Sequence, residues 1–203
     1  MQPYFFPYAG YYELFRKVDL FIVFDNSQMK KNGWIHRNVF KNENDNLMEW
    51  LTLPLQKFQQ KDLINQIKLS DTFQISLEER FQKFHYLRSL LRSKSSLEDV
   101  IFNPDTEFLS DYLTKQLIFV SKYLNPELKF INASRILKRS SEESYQEYII
   151  NLCLETNATR YVNLSGGKNL YNATNFRENG LNLEILPEFL QSNQSFLYNL
   201  LEL

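Results

Sequence analysis

From Tyr11 onward the apolar positions Tyr11, Leu14, Phe15 and Val18 fall three and four apart, the spacing of one buried helix face, and Pro3, Pro7 and Gly10 ahead of them mark a loop that feeds that helix. Leu20-Phe21-Ile22-Val23-Phe24 follows without polar interruption and stops at Asp25-Asn26. A run of this length predicts an interior strand buried on both faces, with a polar loop leaving its carboxyl end. Helix followed by interior strand is half of an α/β unit, so the pattern asks for an earlier parallel strand ahead of Met1.

Further along, 34–40 and 49–54 read as the arms of a β-hairpin around an Asn-rich turn at 42–46, and 62–75 as another strand. Leu77, Phe81, Phe84, Leu87, Leu90 and Leu91 predict one long helix opened by a Ser76/Glu79 capping box. A second helix is expected from Pro104 to Leu124. A third follows a Ser140/Glu143 box and carries Tyr145, Tyr148, Ile149, Leu152 and Cys153. Short strands are expected at 128–131, 160–164 and 181–185. Strands alternating with helices, with no repeat or linker, predict a single three-layer α/β domain over 1–203 with a mostly parallel sheet, a small β-hairpin and a helical insertion.

Composition narrows the function classes. With 203 residues, 23 basic against 24 acidic, the chain lacks the cationic excess that neutralising several phosphates of a nucleic acid requires, so nucleic acid is not an expected partner. A lone cysteine, Cys153, forms no internal disulfide, and no Cys/His cluster has the spacing of a metal site. The reading is a cytoplasmic protein without a membrane span or signal peptide. The aromatic content is the unusual number: 15% of the chain, with seven aromatic residues among the first fifteen. Phe5, Phe6 and Phe15 are assigned to core packing, and Tyr8 and Tyr11 to a ligand-facing wall.

Two polar sets carry candidate chemistry. Asp25, Gln28, Lys31, Trp34, Arg37 and Asn38 follow the predicted interior strand, and α/β sheets bind ligands beyond the carboxyl ends of their strands. An acid, amides, fixed cations and an aromatic face there would orient a small phosphate-bearing or sugar-nucleotide substrate; a solvated loop is the competing reading. Ser165-Gly166-Gly167, with Tyr171 nearby, follows another strand and is either a backbone cradle for an anion or a plain turn. His36 is the imidazole placed to act as acid or base, whereas His85 is read as structural and Cys153 as a buried helix residue rather than a nucleophile. No cofactor is assigned.

MQPYFFPYAGYYELFRKVDLFIVFD, then Gln28, Lys31, Gly33-Trp34-Ile35, Arg37-Asn38, Tyr161, Ser165-Gly166-Gly167, Tyr171, Phe176 and Gly180, together resemble the WbqC-like protein family over nearly the whole chain. Met29 and His36 depart from it, standing where tyrosine and asparagine are expected. The resemblance implies a bacterial protein of surface polysaccharide (O-antigen, lipopolysaccharide) biosynthesis and a transferase passing glycine or another acyl group to an amino sugar. It also implies an apolar strand before the opening motif and a chain continuing past Leu203. A noncatalytic module that binds a sugar nucleotide or a partner enzyme is the alternative. Pro7-Tyr8-Ala9-Gly10-Tyr11 is further similar in layout to the HxGH motif of nucleotidyltransferases and pantothenate synthetases. That likeness implies a nucleotidyltransferase-like (HUP/Rossmann-like) fold with phenols in place of the imidazoles.

Overall fold

The computed structural model describes residues 1–42, 47–191 and 194–201, so most of the expected turn at 42–46 lies outside the described residues. The described strands are β1 (Leu20–Val23), β2 (Arg37–Lys41), β3 (Met48–Thr52), β4 (Lys129–Asn132), β5 (Arg160–Asn163) and β6 (Asn182–Ile185). β1 and β4 pair in parallel, Leu20 opposite Lys129 and Val23 opposite Asn132. β5 and β6 also pair in parallel, and β2 with β3 forms the expected antiparallel hairpin. Mixed α/β structure with small parallel sheets is thus present. The expected single sheet, however, is divided into two parallel pairs, because no described strand joins β1 to β5. Burial along β1 alternates instead of being complete: Phe21 and Val23 are buried while Leu20 and Ile22 are only partly covered.

The helices are α1 (Phe73–Phe81), α2 (His85–Arg88), α3 (Ser96–Phe102), α4 (Leu109–Leu124), α5 (Ala133–Ile136), α6 (Tyr145–Glu155), α7 (Ala173–Glu178) and α8 (Leu197–Leu201). Several expectations are corrected here. The segment 62–75 holds no strand: a 3₁₀ turn, Ile64–Gln66, is flanked by isolated bridges from Leu63 to Gln28 and from Leu69 to Leu55. The long helix expected over 76–91 starts earlier, with Ser76 inside α1, and breaks after Phe81. Its apolar stripe explains the break. Phe81, Phe84, Leu87 and Leu90 recur every third residue, the period of a 3₁₀ turn rather than of an α-helix. The backbone follows, with Phe84, Leu87 and Leu90 N–H each donating to the carbonyl three residues back.

The helix expected from Pro104 begins only at Leu109, because residues 107 and 108 are engaged with 68 and 69 in a bridge. The capping box of α6 is Ser144/Glu147, four residues beyond Ser140/Glu143. α3, α5, α7 and α8 lie where the sequence pattern predicts no helix.

Layering comes from α6 and the opening segment. On α6, Tyr148 and Leu152 pack beside Ile22 and Phe24 at β1, while Ile149 and Cys153 pack beside Tyr161 and Leu183 of the other pair. One helix therefore covers both parallel pairs on one face. On the opposite face lies the 3₁₀ helix Ala9–Arg16, whose Tyr11, Tyr12 and Phe15 stack edge to face, Phe15 reaching Phe21 at 5.0 Å and Phe130 at 5.5 Å between ring centroids. Gly10 allows this helix to seat: a Cβ there would stand 2.3 Å from the Tyr8 ring and 2.6 Å from the Phe189 ring. Gly10→Ala is expected to cost about 1–3 kcal/mol through overpacking, read as a lowered urea midpoint at unchanged slope. Among the described residues no helix is long and apolar enough to cross a membrane.

Candidate functional site

The opening loop is held in an unusual conformation. Phe6 has φ 39°, a left-handed backbone that is rare for a bulky side chain and is found where surrounding structure over-determines it. Here the restraints are explicit. The buried Asn38 amide donates to Phe5 O at 3.0 Å and Phe6 O at 2.7 Å; Ser195 Oγ donates to Phe6 O at 2.7 Å; and Phe5 N–H donates to Ile35 O at 3.0 Å. The loop then presents its phenols. Tyr11 OH donates to Gln2 O at 2.7 Å, Tyr4 OH to Gln2 Oε1 at 3.1 Å, and Gln2 Nε2 to Ser27 Oγ at 2.8 Å.

Facing these groups is the carboxyl end of β5. Asn163 Nδ2 donates to Tyr161 OH at 3.0 Å and to Tyr171 OH at 3.1 Å, and the two phenol oxygens are 3.2 Å apart. Gly167 closes over this knot, where a Cβ would fall 2.9 Å from Asn163 Nδ2. Between the walls lies a cavity of about 720 Å³, lined by Tyr4, Tyr8 and Tyr11 from the opening segment, Gln28 and Lys30 from the loop after β1, Tyr145 and Cys153 from α6, and Tyr161, Asn163, Gly166, Gly167 and Tyr171 from the other side. Its side-chain hydrogen-bonding groups are phenols, amides, hydroxyl, thiol and one ammonium, with no carboxylate among the described lining.

Burial raises the pKa of Tyr4, Tyr8, Tyr11 and Tyr161 above the ordinary phenol value and pushes the Cys153 thiol up to about 11. These groups remain protonated around neutral pH. They are hydrogen-bond donors held among aromatic faces, a combination suited to hydroxyls and to anionic oxygens.

The predicted site residues are divided by the fold. Tyr8, Tyr11, Gln28, Gly166, Gly167 and Tyr171 line the one cavity, with Ser165 at the start of the 3₁₀ turn beside it; Asp25, Lys31, Trp34, His36, Arg37 and Asn38 are not in its lining. Asn38 clamps the aromatic loop as described. Asp25 is 1% exposed and accepts from Ser134 N–H and Oγ. Arg37 donates to Gly33 O and Asn32 O and lies 4.0 Å over the Trp50 ring, which also packs against the exposed Trp34. Sequence reasoning missed Tyr4, Lys30, Tyr145, Tyr161 and Asn163 as members of the lining. Alternation along β5 could have found the last two, since Tyr161 and Asn163 stand two apart on one face.

His36 is buried against Phe58, and its Nδ1 has no hydrogen-bond partner among the described residues. Burial, and secondarily the Arg37 charge, lower its pKa to about 4. The unfolded chain, with an ordinary imidazole near 6.5, then binds more protons than the folded one between those values. Stability is therefore expected to fall as pH drops from about 6.5 to 4, by about 3 kcal/mol in all. Denaturant melts at pH 7, 5.5 and 4.5 check this: His36→Gln should flatten the dependence, and an unchanged slope would show that imidazole burial is not its source.

The WbqC-like protein family's sequence profile matches residues 2–200. An uncharacterized protein of Mycobacterium tuberculosis is 27% identical over 169 residues, covering 80% of this chain and 69% of that protein. No solved structure gives a significant match.

Proposed function

The chain belongs to the WbqC-like protein family, and from that premise we propose that it binds a phosphate-bearing amino sugar, such as a sugar nucleotide, in the tyrosine-lined cavity and transfers an acyl or aminoacyl group to its amine, in bacterial surface polysaccharide synthesis. The observation that carries this reading is the lining itself: phenols from three separate segments converge with Asn163 and Lys30 on one space and no described carboxylate opposes an anion there. Aromatic faces suit a base or a sugar ring, and Lys30 suits a phosphate. In the transfer, the sugar amine attacks the donor carbonyl, the donor's leaving group departs, and the ammonium proton is released. Neutral phenols at fixed positions can stabilise the oxyanion of the tetrahedral intermediate.

One observation favours the noncatalytic alternative. Burial raises the pKa of Tyr4, Tyr8, Tyr11, Tyr161 and Cys153, moving these groups away from general-base duty at neutral pH, and His36 stands outside the lining. Calorimetry with a nucleotide-linked amino sugar, followed by incubation with glycyl and other acyl donors and mass spectrometry of the sugar, separates the two. Binding with a mass gain supports transfer; binding without one for any donor supports the module; no binding sinks both. Tyr161→Phe with Tyr171→Phe is expected to weaken binding about tenfold through lost donors, and to cost about 1–3 kcal/mol of stability because the buried Asn163 Nδ2 loses both phenol acceptors.

A further inference from the structure

Trp34 and Arg37 stand outside the tyrosine-lined cavity, and the structure brings them to the outer face of the β2–β3 hairpin. Register puts Val39 opposite Trp50 and Lys41 opposite Met48, on the face that strand alternation turns away from the buried Asn38, Phe40 and Leu51. Trp34, from the turn before β2, meets Trp50 with ring centroids 4.6 Å apart. Arg37 holds this arrangement together. Its guanidinium lies 4.0 Å over the Trp50 ring and donates to Gly33 O and Asn32 O in the turn that carries Trp34. Yet the rings are open to solvent, Trp34 54% and Trp50 43% exposed, beside Met48 at 50%. Single exposed apolar residues are ordinary, but an ordered cluster left uncovered marks an interaction face.

Charge identifies what covers it. Lys31, ahead of Trp34, and Lys41, opposite Met48, are exposed, and Arg37 lies between them along the chain. Glu49 is the one carboxylate of β2 and β3; it falls on the other face of the hairpin and accepts from the Asn42 amide at 2.9 Å. Glu43 and Asp45 belong to the turn outside the described residues, and the neutral-vesicle arm of the test below weighs them. We propose that this face docks on an anionic lipid surface, with Trp34, Met48 and Trp50 entering the headgroup boundary and Lys31, Arg37 and Lys41 meeting lipid phosphates.

The geometry separates this occupant from others. Small-molecule sites are concave and bury most of their ligand, whereas these rings stand out from the hairpin at about half exposure. Their planes are tilted by 57° and the guanidinium already takes a face of Trp50, so the pair offers no flat platform for a single sugar ring. Lysine is depleted from protein–protein interfaces, and here it flanks the apolar cluster. At a bilayer the two features act together. Indole rings settle at headgroup level, and lysines on long apolar stems reach the phosphates. A two-stranded hairpin has unpaired edges and cannot cross hydrocarbon, so the contact is confined to the headgroup boundary. Lys30, in the cavity lining, is tied to this face by Gly33 N–H, which donates to Lys30 O at 3.0 Å, so docking holds that side of the cavity near the bilayer. The docking itself does not rest on the function proposed above.

Trp34 and Trp50 are the chain's two tryptophans, so tryptophan emission reports on this face alone. The 203-residue chain is mixed with vesicles of phosphatidylcholine, or of phosphatidylcholine with about one-third phosphatidylglycerol, and followed by emission and co-sedimentation. With the anionic vesicles the emission is expected to shift to the blue and to be quenched by brominated acyl chains, and binding to fall about tenfold or more at molar salt. Trp34→Ser with Met48→Ser, and separately Lys31→Glu with Lys41→Glu, are each expected to weaken vesicle binding about tenfold or more. Both pairs should keep a near-native urea midpoint, because all four residues are exposed. Absence of binding to the anionic vesicles, binding with unmoved emission, or binding that neither pair weakens overturns the proposal. Equal binding to both kinds of vesicle overturns the anionic surface as the occupant. A blue shift on concentrating the protein alone, with a doubled sedimenting mass, gives the face to a second copy of this chain; the same shift with soluble glycerol phosphate and none with vesicles gives it to a small anion. Either result overturns lipid docking.

Discussion

Replacing Asn38 with alanine is expected to destabilise the protein by about 3 kcal/mol and to abolish ligand binding in the tyrosine-lined cavity. The amide, 6% exposed, donates to two successive carbonyls, Phe5 O and Phe6 O, at the point where Phe6 sits at φ 39°. Alanine removes both donors. Ser195 Oγ still reaches Phe6 O, so one carbonyl stays partly satisfied while Phe5 O is orphaned. A buried acceptor without a partner costs about 1–3 kcal/mol, and the strained conformation adds a further ~1–3 kcal/mol of incentive to relax once its restraint is gone. Relaxation at Phe6 swings Tyr8, two residues on, and with it one wall of the cavity. Asn38→Asp should be no better, since a carboxylate sets negative charge against the two carbonyls. Urea melts and calorimetry with the nucleotide-linked sugar check both effects; a variant within 1 kcal/mol of the native protein that still binds would mean the loop holds itself.

That pair of bonds also shows what the chain reveals in one dimension and what it withholds. β1, the β2–β3 hairpin, β4, β5 and β6 were legible because each is a short apolar or alternating run bounded by turn residues, and register along a strand is a local property. The helix over 76–91 was not. Its stripe passes for a helical face until the three-residue period is noticed, and the backbone then adopts the turns which that period fits. The α6 box was displaced because Ser140–Glu143 and Ser144–Glu147 both carry the capping pattern, and only the second flanks the packed helix. The site was half legible for a related reason. Asp25 through Asn38 looked like one constellation because the residues are close in sequence. Strand alternation in β2, however, turns Asn38 inward beneath the aromatic loop, while Arg37 turns to Trp50. The cavity is assembled where the opening loop meets α6 and the end of β5, more than a hundred residues further along the chain, and no spacing rule encodes that meeting.

Asp25→Ala carries the other large expected effect, again about 3 kcal/mol, because the carboxylate holds three segments together where β1 ends. It accepts from Ser134 N–H at 3.0 Å through one oxygen and from Ser134 Oγ at 2.5 Å through the other, with Asn65 Nδ2 at 3.5 Å; the Asp25 carbonyl in turn accepts from Asn65 N–H at 2.9 Å. Hydrogen bonds to a charged acceptor contribute about 1.5–3 kcal/mol each, and their loss leaves the Ser134 N–H without this acceptor at the start of α5. Asp25→Asn separates charge from shape. The side-chain oxygen can still accept from one Ser134 group, whereas the new amide donor must face the other, so an intermediate cost of about 1–2 kcal/mol is expected. Ser27 and Gln28 follow within three residues and reach the cavity, so loosening this junction should weaken binding as well as folding. Equal stability of the alanine variant, the asparagine variant and the native chain in urea would show that β1, α5 and the Ile64–Gln66 turn are held by apolar packing alone. The cavity would then owe its shape to the aromatic clamp and not to the carboxylate.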